Sequence, residues 1–499
     1  MHNEGIGAWA ARRARRTPHR TAVVHGDGRR ISYAGLYEHA TRIAHTLRHH
    51  GVRKGDRVGF LGPNRPEFLA SLFAAGLLGA VFVPFNVRLS PPELSYQLAD
   101  CGARVLLRSG RSPGAPAGTG VPVVEVDAAG GAGPGTPVEE AVAPDDPCVI
   151  LYTSGTTGRP KGAVLTHANL TWNAVNVLID EDLTADETAL IAAPLYHAAA
   201  LGMQALPVLL KGGTCVLMET FEAGAALEAV ERYGITSLFG VPTMFRRIAA
   251  HPRWRSADLS SLRTLVCGGA PVPEPLIDTY ARRGLTLRQG YGMTEAAPGV
   301  SLTQEQHTGA GPGYAGVPHF FTDIRVVPPE TDSPATPVPA APVPGTGELL
   351  VRGPNVMTGY WNRPQETRAA FTDGWLRTGD VARTDTDGGV TIVDRIKEVI
   401  ISGGENIYPS EVEHALLAHP DVAECAVIPV PDPEWGEVGR AVLVAAPGAT
   451  LDPAEVLTSL TGRLARYKIP RTAVVAPDLP RSSTGKAARH HIRSRYGTP

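Results

Sequence analysis

The chain is poor in several things, and each shortage removes a class of protein. Its five cysteines in 499 residues (Cys101, Cys148, Cys215, Cys267 and Cys425) are odd in number, widely spread, and form no C-x-x-C pair. That argues against a disulfide framework or a zinc site and for a reducing cytoplasm. No uninterrupted apolar run approaches the roughly eighteen residues that a membrane-spanning helix needs. The opening stretch, MHNEGIGAWAARRARRTPHR, is basic but holds no apolar core of the kind a signal peptide has, so none is expected. Charge of one sign is missing too. Lys and Arg number 47 against 49 Asp and Glu, so no global field favours nucleic acid or an anionic membrane.

Familiar chemical signatures are absent as well. The sequence has no Gly-Lys-Ser/Thr, so the Walker A pattern fails, and no G-x-S-x-G nucleophile elbow. GPGYAG (Gly311 to Gly316) satisfies G-x-G-x-x-G, but Pro312 and the lack of a preceding strand pattern make it a loop. Ser483 to Lys486 satisfies S-x-x-K without the S-D-N or K-T-G that a penicillin-binding site requires. The neighbouring pair His490 and His491 stands alone near the end and suggests no metal.

What remains is an ordinary globular composition, 43% hydrophobic and 19% charged, with length for two or three domains. DRVGFLG reads as a strand, EFLASLFAAGLLGA as a buried helix and VFVPF as the next strand, a βαβ rhythm of a layered α/β fold. The rhythm returns in ALIAAP, GGTCVLM, GITSLFGVP and LRTLVCGG. Residues 109 to 147, rich in Gly, Ala and Pro, read as a surface excursion. The Pro-rich residues 328 to 347 read as an exposed loop between strands DIRVV and GELLVRG. From about residue 395 the texture becomes strand, turn, helix, strand, a compact α+β module. The expected division is therefore 1–394, a connection at 395–397, and 398–499.

Five stretches carry chemistry. TSGTTGRPKG (Thr153 to Gly162) follows an apolar run and offers glycines, hydroxyls and the mobile charge of Lys161, a loop suited to an anion such as phosphate. RQGYGMTEA sets a hydroxyl, Thr294, beside a carboxylate, Glu295, which suits a hard cation such as Mg²⁺; by itself such a pair reads as a helix start. GWLRTGDVA carries Asp380, able to accept from both hydroxyls of a ribose, though in isolation it reads as a turn aspartate before a strand. DRIKEVIISGGENIYPSEVE holds Arg395, Lys397 and a Gly403-Gly404 turn. RSSTGKAAR holds Lys486, alone readable as a frayed basic tail.

In this order and spacing the five stretches resemble the adenylate-forming superfamily of acyl-CoA synthetases, adenylation domains and luciferases, most of all the stand-alone fatty acyl-CoA and 4-coumarate-type ligases. The resemblance implies a large N-terminal domain of layered sheets and helices with a distorted β-barrel, and a small mobile α+β C-terminal domain. It implies an enzyme that uses ATP, Mg²⁺ and CoA, forming acyl-AMP and pyrophosphate and then a thioester. By resemblance Thr153, Ser154, Gly155, Thr156, Thr157 and Lys161 hold the outer phosphates, Thr294 touches phosphate and Glu295 holds Mg²⁺. Gln289, Gly290 and Tyr291, with Gly269 and Ala270, line the adenine pocket, while Asp380 and Arg395 hold the ribose. Lys486 bridges carboxylate and α-phosphate; the small domain pivots at Lys397 and brings Gly403 and Gly404 beside the CoA tunnel.

The acyl pocket implied is Tyr196, His197, Met203, Phe239, Gly240, Val241 and Pro242, mostly apolar, with His197 as a gate. Tyr196-His197 stands where amino-acid-activating domains carry Phe-Asp, so an α-amino group has no partner. A dicarboxylate needs a pocket cation, and Arg246 and Arg247 read as surface positions instead. Fatty and aryl acids stay open, with a malonate-like dicarboxylate as a further alternative, and so does the acceptor: CoA, a carrier protein or another nucleophile.

Overall fold

The computed structural model describes the chain except residues 1, 27, 111–118, 128–136, 139, 154–159, 305–310, 312, 328–344, 396–397, 403–404, 434, 462, 465, 482–486 and 498–499; residues 395, 401, 405 and 406 are described by backbone alone. The helix Pro66–Leu77 shows why the large unit is layered. Proline opens it at its first turn, where the lost N–H is harmless, and all twelve of its residues are buried. Apart from Glu67, which faces Arg29 and Arg65, and Ser71, the helix is apolar all round, and such a helix has to be enclosed on every side. It crosses the helix Gly7–Arg16 at Gly7 and Gly76, where a Cβ on Gly7 would lie 2.1 Å from the Gly76 carbonyl carbon.

Two sheets hold this interior. In the seven-stranded one, Arg57–Leu61 runs parallel between Val81–Phe85 and Ala103–Arg108, and Pro147–Thr153 turns back antiparallel into Lys161–Thr166. In the fourteen-stranded one, Ser237–Gly240, Thr264–Gly268 and Leu287–Gly292 are consecutive parallel neighbours. Ser237–Gly240 and Thr264–Gly268 are buried on both faces, as central parallel strands are, and the apolar runs read from sequence reflect that, while Leu287–Gly292 is only half-buried beyond Leu287. Beyond Leu287–Gly292 the sheet turns antiparallel through Gly299–Leu302 and Tyr314–Pro318 to Val390–Arg395, Trp375–Thr384, Gly345–Arg352 and Asp323–Val327. This wing curls on a core of its own (Ala296, Val300, Leu349, Val351, Ala382, Val390), and its strand path stays open at Asp323–Val327 among the described residues.

Residues from Ile400 onward build a separate five-stranded sheet covered by Pro409–Leu417, Pro453–Thr458 and Arg489–Tyr496. Its two cores, around Ile400, Leu416 and Leu443 and around Ile428, Val442 and Ile492, are distinct from those of the large unit. The fold is α/β, with a large N-terminal and a small C-terminal domain.

Four sequence expectations need correction. Within 109–147, Val123–Glu125 is an edge strand and Ser109, Val126, Val138 and Val142 are buried, so the segment is not all surface. Residues 345–347 belong to the strand Gly345–Arg352 and not to the Pro-rich loop, whose residues 328–344 lie outside the described set. Tyr314 to Gly316 are in a strand, not a loop. The basic tail is not frayed, because Arg489–Tyr496 is helical and seats Ile492 in the core.

Candidate active site

Parallel strands in an open α/β sheet leave a crevice at their carboxyl ends, and ligands gather there. Here Thr264–Gly268 and Leu287–Gly292 end side by side, with Gly268 opposite Gly290 and Cys267 opposite Gln289. Gly269 then takes φ +80°, a left-handed conformation that glycine adopts freely, and Ala270 is exposed on the turn. Val272 N–H donates to Gln289 Oε1 at 3.2 Å and fixes that turn against the strand. The four positions expected around adenine thus share one rim, and Tyr291 continues the same strand.

The tyrosine reaches across to the antiparallel wing, where its hydroxyl donates to Asp380 Oδ2 at 2.5 Å. Asp380 is buried within Trp375–Thr384, not in a turn before a strand, and its own N–H bonds to Thr378 Oγ1. Arg395 pairs with it in the backbone register of the neighbouring strand.

Thr294 and Glu295 open a single 3-10 turn, Thr294–Ala296, and not a longer helix. Glu295 is only 7% exposed, and its Oε1 accepts from the Tyr360 hydroxyl at 2.8 Å. Its other carboxylate oxygen takes no hydrogen bond from the described residues, which leaves a hard oxygen ligand for a cation such as Mg²⁺. Burial, and then the Glu295 charge, push the Tyr360 hydroxyl far above the usual tyrosine range, so it stays a donor.

Thr153 and Lys161 end two antiparallel strands and face each other, with Thr153 Oγ1 3.5 Å from the Lys161 carbonyl. Thr153 and Lys161 thus belong to neighbouring antiparallel strands, whereas the Walker lysine opens a helix. Ser154, Gly155, Thr156 and Thr157 lie outside the described residues, as do Lys397, Gly403, Gly404 and Lys486. Lys161 Nζ stands 5.1 Å from the centroid of the Tyr360 ring.

The expected acyl residues lie next door. Phe239 and Gly240 end a strand beside Thr264–Gly268, and a Cβ on Gly268 would sit 3.4 Å from the Phe239 ring. Met203 is buried in the π-helix Ala200–Ala205, a local geometry that often marks functional sites. Tyr196 is buried and meets the half-buried His197 edge-on at 4.7 Å. Burial raises the Tyr196 hydroxyl, opposed by the charge of Arg88. Val241 is half-buried at the cap of the helix Pro242–Ala250, which carries Arg246 and Arg247 exposed. Arg247 covers Phe221, and Arg246 stands 3.9 Å from Glu424, so both are occupied elsewhere.

Three asparagines and a tyrosine hold this assembly, and the sequence reading missed them. Asn173 donates to Gly202 O and accepts from Gly299 N–H, tying the π-helix to the strand after Glu295. Asn355 donates to Ala296 O and Gly299 O, and Asn169 to Pro354 O and Val356 O. Tyr360 completes the set. None sits in a motif whose local pattern announces such a role.

The model of the AMP-binding enzyme family matches residues 10–361, and the model of its C-terminal domain matches residues 411–486. The chain belongs to the AMP-binding enzyme family. Among its family relatives, a feruloyl-CoA synthase of Amycolatopsis sp is 54% identical over the whole length of both chains. An indoleacetate–CoA ligase of Aromatoleum aromaticum is 42% identical, covering 98% of this chain and 97% of that one. The o-succinylbenzoate CoA synthetase of Bacillus subtilis, solved with its acyl-adenylate intermediate, superimposes with a TM-score of 0.89 at 34% identity over 97% of each chain. The same enzyme solved with ATP and magnesium ion gives 0.88 over 97% and 99%.

Proposed function

We propose that the protein is an acid–thiol ligase that activates a hydrophobic carboxylic acid with ATP and passes the acyl group to CoA. The observation that carries the reading is the shared wall at Gly268. The rim of Gln289 and Gly290 lies on one side of it, and the Phe239 ring packs on the other. An acid held against Phe239, Met203 and Tyr196 is then placed beside a nucleotide held by Tyr291 and Asp380. Proximity of this kind supplies a large share of catalysis in a reaction between two bound substrates.

In the first step a carboxylate oxygen forms a bond to the α-phosphorus, and the bond from that phosphorus to the bridging oxygen breaks. Pyrophosphate leaves with the electron pair. In the second step the CoA sulfur adds to the acyl carbon, AMP departs, and the thiol proton goes to solvent. Thr153, Ser154, Gly155, Thr156, Thr157 and Lys161 are proposed to hold the leaving pyrophosphate, Thr294 to touch phosphate, and Glu295 to seat Mg²⁺. The cation, when bound, offsets the charge of the phosphate oxygens. Gly269, Ala270, Gln289, Gly290 and Tyr291 would line adenine, and Asp380 with Arg395 the ribose. Lys486 is assigned to the first step, with positive charge where negative charge accumulates. The unit from 398 onward is proposed to pivot at 395–397, bringing Gly403 and Gly404 to the CoA in the second step.

For the acid, the 54% identical feruloyl-CoA synthase and the 42% identical indoleacetate ligase support an aryl acid over a fatty one. The apolar and aromatic lining suits a flat ring, with His197 as the gate. The test is pyrophosphate release with ferulate, indoleacetate, a long-chain fatty acid and malonate, each with and without CoA. Fastest release with an aryl acid and formation of its CoA thioester are expected. Release with no thioester formed would move the acceptor to a carrier protein, and release with malonate alone would overturn the hydrophobic pocket. All five cysteines are free thiols, which fits the proposed cytoplasmic location. Among the described residues no helix is long and apolar enough to cross a membrane.

A further inference from the structure

Tyr360 stands in none of the stretches that carry the chemistry, yet it touches two of the groups assigned to phosphate. Its hydroxyl donates to Glu295 Oε1 at 2.8 Å, and its ring lies 5.1 Å from Lys161 Nζ. Those two residues are 134 positions apart in the chain: Lys161 begins a strand of the seven-stranded sheet, and Glu295 lies in the 3-10 turn between two strands of the fourteen-stranded one.

The backbone holds the ring there from both ends. Gly359–Tyr360 is a two-residue strand paired antiparallel with Lys161–Thr166, with Tyr360 opposite Ala163. Thr358 N–H donates to Val164 O, and Trp361 N–H to Gly162 O at 2.8 Å. On the other side, Met357 N–H donates to the Glu295 carbonyl at 2.8 Å. Gly359 has φ +151°, and a Cβ there would lie 2.5 Å from Thr367 Cγ2, so only glycine lets the chain turn at this point. Thr367 Oγ1 in turn accepts from the Tyr360 N–H at 2.9 Å. One short segment therefore fastens the cation carboxylate to the strand that begins at the loop lysine.

We propose that Tyr360 is a positioning residue for the adenylating step: its hydroxyl orients Glu295 for the cation, and its ring braces Lys161 for the phosphates. This rests on the roles assigned above to Glu295 and Lys161. With one Glu295 oxygen occupied by the tyrosine, the other is left for the metal, and the carboxylate is held in a single orientation. A flat aromatic face beneath an ammonium attracts it without neutralising its charge, so Lys161 stays available to phosphate. The second half-reaction releases no pyrophosphate, so it does not run through this residue.

The experiment measures ATP binding calorimetrically on the full chain, once with Mg²⁺ and once with EDTA, for the unaltered protein, Tyr360→Phe, Tyr360→Leu and Glu295→Gln. Alongside it, thioester formation is followed from the synthetic adenylate of whichever acid the unaltered protein turns over best. Tyr360→Phe is expected to lose roughly tenfold or more of the affinity that Mg²⁺ adds, as for a lost hydrogen bond to a charged group. It should bind ATP in EDTA as before and form thioester from the adenylate within about twofold, since only the bond to Glu295 has gone. Tyr360→Leu is expected to weaken ATP binding in EDTA as well, because the ring under Lys161 has gone. A Tyr360→Phe protein that keeps the whole Mg²⁺ gain while Glu295→Gln loses it overturns the role of Tyr360 alone. A Glu295→Gln protein that keeps the gain overturns the assignment beneath it. An equal fall in both half-reactions would mean that the tyrosine merely supports the fold, and would also overturn the proposal.

Discussion

The Tyr291 hydroxyl and Asp380 Oδ2 are 2.5 Å apart, joining the end of a parallel strand to the antiparallel wing across the mouth of the crevice. The bond holds a buried carboxylate at the point where a ribose is expected, before any nucleotide arrives. Asp380→Asn is expected to weaken AMP binding on the order of ten- to a hundredfold, since hydrogen bonds to a charged acceptor are the strong ones. Tyr291→Phe should weaken it by less than about tenfold, because it removes orientation and not the acceptor. The double variant should bind no worse than Asp380→Asn alone, because the two act through one bond. Calorimetric titration with AMP measures all three. Additive losses would mean that the tyrosine acts independently of the aspartate.

Much of this crevice could be read from the chain. The strands that form it are short apolar runs broken by Gly and Pro, and buried parallel strands leave that signature. Asp380 and Glu295, read by themselves, give only a turn aspartate and a helix start; it is the resemblance of the five stretches taken together that singles them out. Tyr360, Asn173 and Asn355 were not legible, for a physical reason. Their partners, Glu295, Gly299 and Ala296, lie 65, 126 and 59 positions away, and an amide that bonds to distant main chain has no local pattern. The edge strand Val123–Glu125 escaped notice for another reason. Three residues cannot show a period, and their Gly- and Pro-rich surroundings argue for a loop.

The acid side and the nucleotide side of the crevice should separate by mutation. Met203→Ala, in the buried π-helix, is expected to raise KM for an aryl acid about tenfold while leaving AMP affinity within about twofold, since it removes apolar contact only. Gly268→Ala should damage both. Its Cβ would stand 3.0 Å from the Gly290 carbonyl oxygen and 3.4 Å from the Phe239 ring, so it presses on the two sides at once. Steady-state kinetics with each substrate varied in turn checks the pair. An unchanged AMP affinity in Gly268→Ala would break the link between the pockets.

Acid should destabilise the large domain through His167. Its Nδ1 accepts the Ile6 N–H at 3.1 Å in a fully buried setting, which only the neutral ring can do. Burial brings the imidazole down to about 4, below its ordinary value near 6.5. The unfolded chain therefore binds the extra proton first. The stability carried by the neutral ring is complete above about pH 6.5 and falls as the pH drops toward 4, by up to about 3 kcal/mol. Urea unfolding from pH 7 to pH 4 measures this. His167→Phe should be less stable at pH 7, with a shallower loss over the same interval. A variant with the same slope as the unaltered protein would remove His167 as the source.

In the proposed reaction the carboxylate attacks the α-phosphate, with pyrophosphate as the leaving group. Oxygen-18 in the substrate carboxylate tests that claim most directly. With labelled ferulate, ATP and CoA, the account predicts label in the phosphate of AMP and none in the pyrophosphate. Label in orthophosphate, with ADP as the other product, would place the attack at the γ-phosphate and contradict it.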